Sequence, residues 1–246
     1  MKLRISVWRQ DGPEDAGRWE DHEVADATPE MSLLELLDHL NDQIFAAGGD
    51  PIVFESDCRE GACGVCGVTV NGVPHGPVPN TPSCRQHLRS LETTRLKIEP
   101  LRAGAFPVIR DLVVDRSALD ELVTRAGTVA VDAGTAPDAD ARGMAHGEAE
   151  AALDLAACIG CGACVAACPN GAAHLFAGAK LGHLSLMPQA LHERADRAAA
   201  MSQTLDEYFG PCSLHGECAE VCPAGIPLGA VARVNAERWR ARRPRR

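Results

Sequence analysis

Cys158-Ile-Gly-Cys161-Gly-Ala-Cys164-Val-Ala-Ala-Cys168-Pro169 is the stretch that decides how the second half of this chain folds. It is a Cys-x2-Cys-x2-Cys-x3-Cys-Pro run, a spacing that wraps thiolates around a cubane iron-sulfur cluster, with the fourth Cys ligating the other cluster of a pair. Cys158, Cys161 and Cys164 therefore need a thiolate from elsewhere, and Cys222 of Cys212-x5-Cys218-x3-Cys222-Pro223 fills that role. The later run repeats the pattern with one change, since His215 stands where the middle Cys should be. Crossing the assignments leaves Cys168, Cys212 and Cys218 for the second centre, and three thiolates fit a 3Fe-4S cubane lacking one corner. The alternative is that His215 ligates a fourth iron, because imidazole replaces Cys in some clusters.

Upstream, Cys58, Cys63 and Cys66 follow Cys-x4-Cys-x2-Cys with Cys84 at a distance, the plant-type 2Fe-2S arrangement. The loop CREGACGVCG is rich in Gly, so that backbone can fold tightly and aim amide N–H groups at the sulfurs, and Gly61, Gly64 and Gly67 are the expected turn-makers. A zinc site is the plainer alternative, but zinc knuckles favour paired Cys-x2-Cys or Cys/His spacings. The three groups, of four, four and three, use all 11 cysteines. An odd count fits disulfides badly, and nothing at the start, MKLRISVWRQDG, has the apolar stretch of a secretion signal.

The remaining composition narrows the function class. A formal charge of −10 argues against nucleic-acid binding, since a basic face is confined to the tail AERWRARRPRR. That tail, with Trp239, suits anionic lipid head groups, acidic partner loops or a merely solvated helix end. No window approaches the length of about 20 apolar residues that a membrane span needs. There is no Gly-x-Gly-x-x-Gly fingerprint, phosphate loop or Ser-His-Asp set, so no catalytic residues are assigned.

At 246 residues and 46% apolar the chain suits two domains. Residues 2–8 alternate like a strand, and a stretch rich in turn formers leads to MSLLELLDHLNDQI, whose apolar residues at 33, 34, 36, 37, 40 and 44 have helical spacing. Segments 66–73 and 94–98 alternate again, with Asn71-Gly72 as a turn signal. From about residue 116 Ala and Leu dominate, and AEAALDLAA and ALHERADRAAAMSQTLDEYF read as helices. Between them, residues 126–148 are small, polar and acidic, and read as a flexible loop without cofactor ligands. The fold class is therefore α+β, a small mixed sheet with one helix over residues 1–105 and a helical unit over 106–246.

These cysteine groups, in this order, together with PVIRDLVVD at 107–115, resemble the iron-sulfur subunits of succinate dehydrogenases and fumarate reductases, the respiratory complex II family. The resemblance covers nearly the whole chain and implies an N-terminal β-grasp domain of the plant-type ferredoxin kind and a C-terminal α-helical domain of the bacterial ferredoxin kind. It implies partners too: a flavoprotein holding FAD, where succinate is oxidised, and a membrane anchor offering quinone. The chain would then sit peripherally at the cytoplasmic face of the membrane, with the 2Fe-2S group facing flavin, the 4Fe-4S group between, and the 3Fe-4S group facing quinone. One departure concerns the quinone side, because many members carry an aromatic pair after Cys-Pro, whereas Pro169 is followed here by Asn170-Gly-Ala-Ala-His174. His174, Ser213 and His215, each within six residues of a ligand to the third cluster, are the candidate polar contacts to quinone.

Two other readings compete with this one. Subunits of thiol-dependent fumarate reductases or glycolate and glycerol-phosphate oxidases often add Cys-Cys-Gly repeats, and none occur here. A free carrier ferredoxin would not need two fused units and a basic tail. His22, His39, His75 and His87 lack partner spacing and read as structural or surface residues, and Arg59 and Glu60 as solvated positions beside the first group.

Overall fold

A computed structural model describes residues 1–128 and 143–242. The chain opens with β1 (Leu3–Arg9), whose Leu3, Ile5 and Val7 face inward at every second position. β2 (Arg18–Val24) runs antiparallel to it, and β5 (Arg95–Pro100) pairs with β1 in parallel, setting Ile5 beside Leu96 and Val7 beside Ile98. β3 (Val68–Val70) and β4 (Val73–Pro74) complete a five-stranded sheet of order β2-β1-β5-β3-β4. Asn71 and Gly72 both hold positive φ, 51° and 82°, which is the two-residue turn that their dipeptide signals.

Helix α1 (Leu33–Ala46) starts at a reciprocal cap, in which Ser32 Oγ accepts from Glu35 N–H and the Glu35 carboxylate accepts from Ser32 N–H. Leu33, Leu36, Leu37 and Leu40 pack on the sheet against Leu3, Ile5, Val68 and Ile98. Leu34 points instead at Cys66 and Cys84, so one helix supports both the sheet and the first cysteine loop.

PVIRDLVVD forms a small hairpin of β6 (Val108–Arg110) and β7 (Val113–Val114) that is pinned to both halves. The buried Asp111 carboxylate accepts from Arg9 Nε at 3.2 Å, Gln10 N–H at 3.0 Å and Val53 N–H at 2.9 Å, and Leu112 enters the sheet-side core. Phe106, Val108 and Val114 enter the helical core on the other side.

The helical half contains α2 (Ser117–Ala126), α3 (His146–Ala156), α4 (Ala163–Ala167), α5 (His174–Leu186), α6 (Leu191–Tyr208), α7 (Glu217–Glu220) and α8 (Ala230–Ala241). α5 is its axis, with ten of thirteen residues buried, and Gly178 lets α8 approach so closely that a Cβ there would lie 2.2 Å from Ala230 O. Of the acidic stretch 126–148, residues 129–142 lie outside the described residues; Ala126 ends α2, and residues 146–148 open α3 rather than continuing a loop, because Ala-rich sequence there can pack Ala152 and Leu155 inward. No helix among the described residues is long and apolar enough to cross a membrane.

Candidate iron-sulfur sites

The first cysteine loop wraps its own backbone around sulfur. Cys58 Sγ accepts N–H groups from Glu60 and Ala62 at 3.4 Å and Cys63 at 3.3 Å. Those donors pull its thiol down to about 7, which favours the thiolate that binds iron. Positive φ at Arg59, Gly61 and Gly64 turns the chain to aim them. Gly67 differs from them: its φ is not positive, its N–H closes a tight turn onto Val65 O at 2.9 Å, and a Cβ there would meet Leu101 Cδ1 at 2.4 Å. Cys66 and Cys84, the latter in a 3-10 turn (Ser83–Arg85), are buried, and burial pushes the Cys66 thiol up to about 12.

Behind this loop, His75 is 1% exposed. Its Nδ1 accepts from Ser83 N–H at 3.2 Å, which leaves the ring proton on Nε2, where no partner is found. Burial, helped by the charge of Arg116, holds its pKa down at about 4 against an ordinary 6.5. The folded state thus resists a proton that the unfolded chain accepts, so stability is intact above pH 6.5 and is lost as pH falls toward 4. The loss expected from this ring is about 3 kcal/mol. Urea unfolding across that window measures it, and the pH dependence should flatten in His75→Asn.

The remaining seven cysteines divide between two small cavities. Cys158, Cys161, Cys164 and Cys222 line one, closed by Leu175, Phe176 and Ile226; Cys168, Cys212 and Cys218 line the other, with His174, Ser213 and His215 on its wall. The two runs are built alike: a left-handed Gly (Gly162, φ 85°; Gly216, φ 103°) opens a short helix, α4 or α7, and Cys-Pro follows it. Since α4 packs on α7, the last Cys of each run reaches across to the other run's cavity. Burial pushes Cys161 up to about 12 and raises Cys158, Cys164 and Cys218 as well. Such thiols stay protonated and inert unless a metal charge compensates them.

The donor set fits iron-sulfur clusters. All eleven cysteines are unpaired thiols, and among the described residues no three His, Cys, Asp or Glu side chains converge as a single metal ion would require. Seven of the thiols instead ring two cavities, the arrangement that several irons need and one zinc ion does not.

His174, the first residue of α5, is buried with Nδ1 lacking a partner, and burial together with the Arg238 charge lowers its pKa. Ser213 and His215 are exposed, so the three candidate quinone contacts share one cavity but line its inner and outer sides. Directly after Pro169, Asn170 Nδ2 donates to Pro211 O at 2.9 Å and Ser213 Oγ at 2.8 Å, tying the two cysteine loops of this cavity together. Arg59 pairs with Asp38, and His39 with Asp26, at the surface. A groove across the open face of the sheet, lined by Arg4, Asp21, Glu23, Asn71, Arg95 and Lys97, contains no cysteine.

The sequence matches a 2Fe-2S iron-sulfur cluster binding domain over residues 4–121 and a 4Fe-4S dicluster domain over residues 154–226. It is 30% identical over 242 residues to the fumarate reductase iron-sulfur subunit of Mycobacterium tuberculosis, covering 94% of this chain and 90% of that one. The chain belongs to the succinate dehydrogenase and fumarate reductase iron-sulfur subunits. The Bacillus subtilis succinate dehydrogenase iron-sulfur subunit is 28% identical over 236 residues, covering 92% of this chain and 88% of that one. The fold is also that of a chain of the Mycobacterium smegmatis Sdh1 complex in the apo form, with a TM-score of 0.67, 21% identity and 97% of each chain covered. As a member of this family, the chain is an iron-sulfur electron-transfer subunit with a 2Fe-2S domain before a helical 4Fe-4S domain.

Proposed function

We propose that this subunit carries electrons between the FAD of a succinate dehydrogenase or fumarate reductase flavoprotein and membrane quinone. Cys58, Cys63, Cys66 and Cys84 hold a 2Fe-2S cluster, Cys158, Cys161, Cys164 and Cys222 a 4Fe-4S cluster, and Cys168, Cys212 and Cys218 a 3Fe-4S cluster. When bound, each cluster takes up and passes on single electrons. The observation that carries the reading is the sorting of seven thiols into separate cavities as four and three. The domains meet at 105/106, the flavoprotein and a membrane anchor are the partners, and the chain lies peripherally at the cytoplasmic face. His174, Ser213 and His215 supply polar groups on the quinone side.

The experiment is EPR of the purified native complex with iron and sulfide counted. A 3Fe-4S signal in the oxidised state, its loss on adding succinate and its return on adding quinone support the proposal. A chain that purifies without a flavin-bearing partner, or whose clusters ignore succinate, overturns it. His215→Cys should convert the third cluster toward 4Fe-4S, abolishing the oxidised signal and lowering the potential; an unchanged signal counts against the corner assignment.

A further inference from the structure

The two halves touch where the first cysteine loop meets the 158–161 loop. A Cβ on Gly64 would lie 2.2 Å from Ile159 O and 3.1 Å from Cys161 N, so backbone presses on backbone between two candidate cluster sites. Arg116 reaches into this junction from the N-cap of α2, its carbonyl held by Leu119 N–H. Its Nη1 donates to Gly64 O at 2.7 Å and to Cys161 O at 3.3 Å, one carbonyl from each loop. Its Nη2 donates to Val65 O at 3.4 Å and to the Glu55 carboxylate at 3.1 Å. Gly64 and Val65 lie between Cys63 and Cys66, and Cys161 is itself one of the thiols, so the cation sits between the two sets.

We propose that Arg116 is a positioning residue for electron transfer, clamping the 2Fe-2S loop to the 4Fe-4S loop and holding a fixed positive charge between them. The inference rests on the cluster assignment above. Two consequences follow from chemistry. Electron transfer between weakly coupled centres falls steeply with distance, so a fork that spans both loops fixes the step. Each cluster gains negative charge on reduction, and a cation held beside both in a half-buried site favours both reduced states, with Glu55 offsetting part of that charge. A guanidinium suits the task because it presents several donors in a rigid plane, whereas an ammonium keeps the charge without the fork.

Redox titration of the native complex, followed by EPR, tests this with Arg116→Gln, Arg116→Lys and Glu55→Gln. Arg116→Gln should shift the 2Fe-2S and 4Fe-4S potentials down together and leave the 3Fe-4S potential in place, since its hydrogen bonds go to Gly64, Val65, Glu55 and Cys161 and none of these lines the cavity of Cys168, Cys212 and Cys218. Glu55→Gln should shift the same two potentials up, an opposite movement that a general loosening of structure does not produce. Arg116→Lys should restore the potentials but not the rate of transfer between the two clusters. An Arg116→Gln complex with all its clusters and unchanged potentials overturns the proposal. Should that variant fail to assemble, an unmoved potential in Glu55→Gln overturns it equally. A wild-type complex lacking a 2Fe-2S or a 4Fe-4S signal would overturn the cluster assignment instead.

Discussion

Cys222→Ala should abolish the 4Fe-4S signal and spare the 3Fe-4S signal, although Cys222 belongs by sequence to the run that holds Cys212 and Cys218. Its sulfur lies in the cavity of Cys158, Cys161 and Cys164 and accepts the Ile226 N–H at 3.4 Å. Cys168→Ala should do the reverse, since Cys168 lies with Cys212 and Cys218. If each run instead served its own cluster, the losses would be exchanged. EPR of oxidised and fully reduced complexes, with iron counted per chain, distinguishes the patterns. Because cluster binding and folding are coupled, both variants should also unfold at lower temperature, and succinate-linked quinone turnover should be lost with either cluster. Ala is preferable to Ser here, since a serine oxygen can still ligate iron.

What could be read from sequence was what valence and local backbone dictate. The cysteine spacings point to the same four-and-three sorting that the two cavities show, because in two-cluster ferredoxins the last Cys of each run serves the other cluster. The capping Ser32, the Leu pattern after it and the Asn71-Gly72 turn likewise act over a few residues. β2 was hidden because it is a sheet edge: in RWEDHEV only Val24 is buried, so charge on both faces masks the alternation. α5 was hidden for the opposite cause, since a helix buried on nearly all sides has no apolar stripe. Asn170 and Arg116 act on carbonyls more than 40 residues away, and no local pattern announces such a partner. Gly67 shows the limit within a motif, where the spacing does not announce that a small residue also makes room for Leu101.

Gly64 joins both problems, and Gly64→Ala should therefore damage stability and electron flow together. Its φ of 72° places an L-residue in the left-handed region, which costs about 1–2 kcal/mol by itself. The added Cβ would also stand 2.2 Å from Ile159 O, and a carbonyl of the opposing loop cannot rotate away as a side chain would. The loops must part by roughly 1 Å to reach ordinary contact distance. That movement stretches the Arg116 bonds to Gly64 O and Cys161 O, now 2.7 and 3.3 Å, and lengthens the step between the first two clusters. Gly48→Ala supplies the control, because Gly48 has φ 78° but nothing within 4 Å of the new Cβ. It should lose only the backbone contribution, with electron transfer unaltered. Thermal unfolding gives the stability of each variant, and rapid-mixing kinetics of 4Fe-4S reduction after the 2Fe-2S cluster gives the transfer rate. Equal stability losses and equal rates in the two variants would mean that the junction yields without consequence; a slower second step in Gly64→Ala alone locates the control of electron flow at this backbone contact.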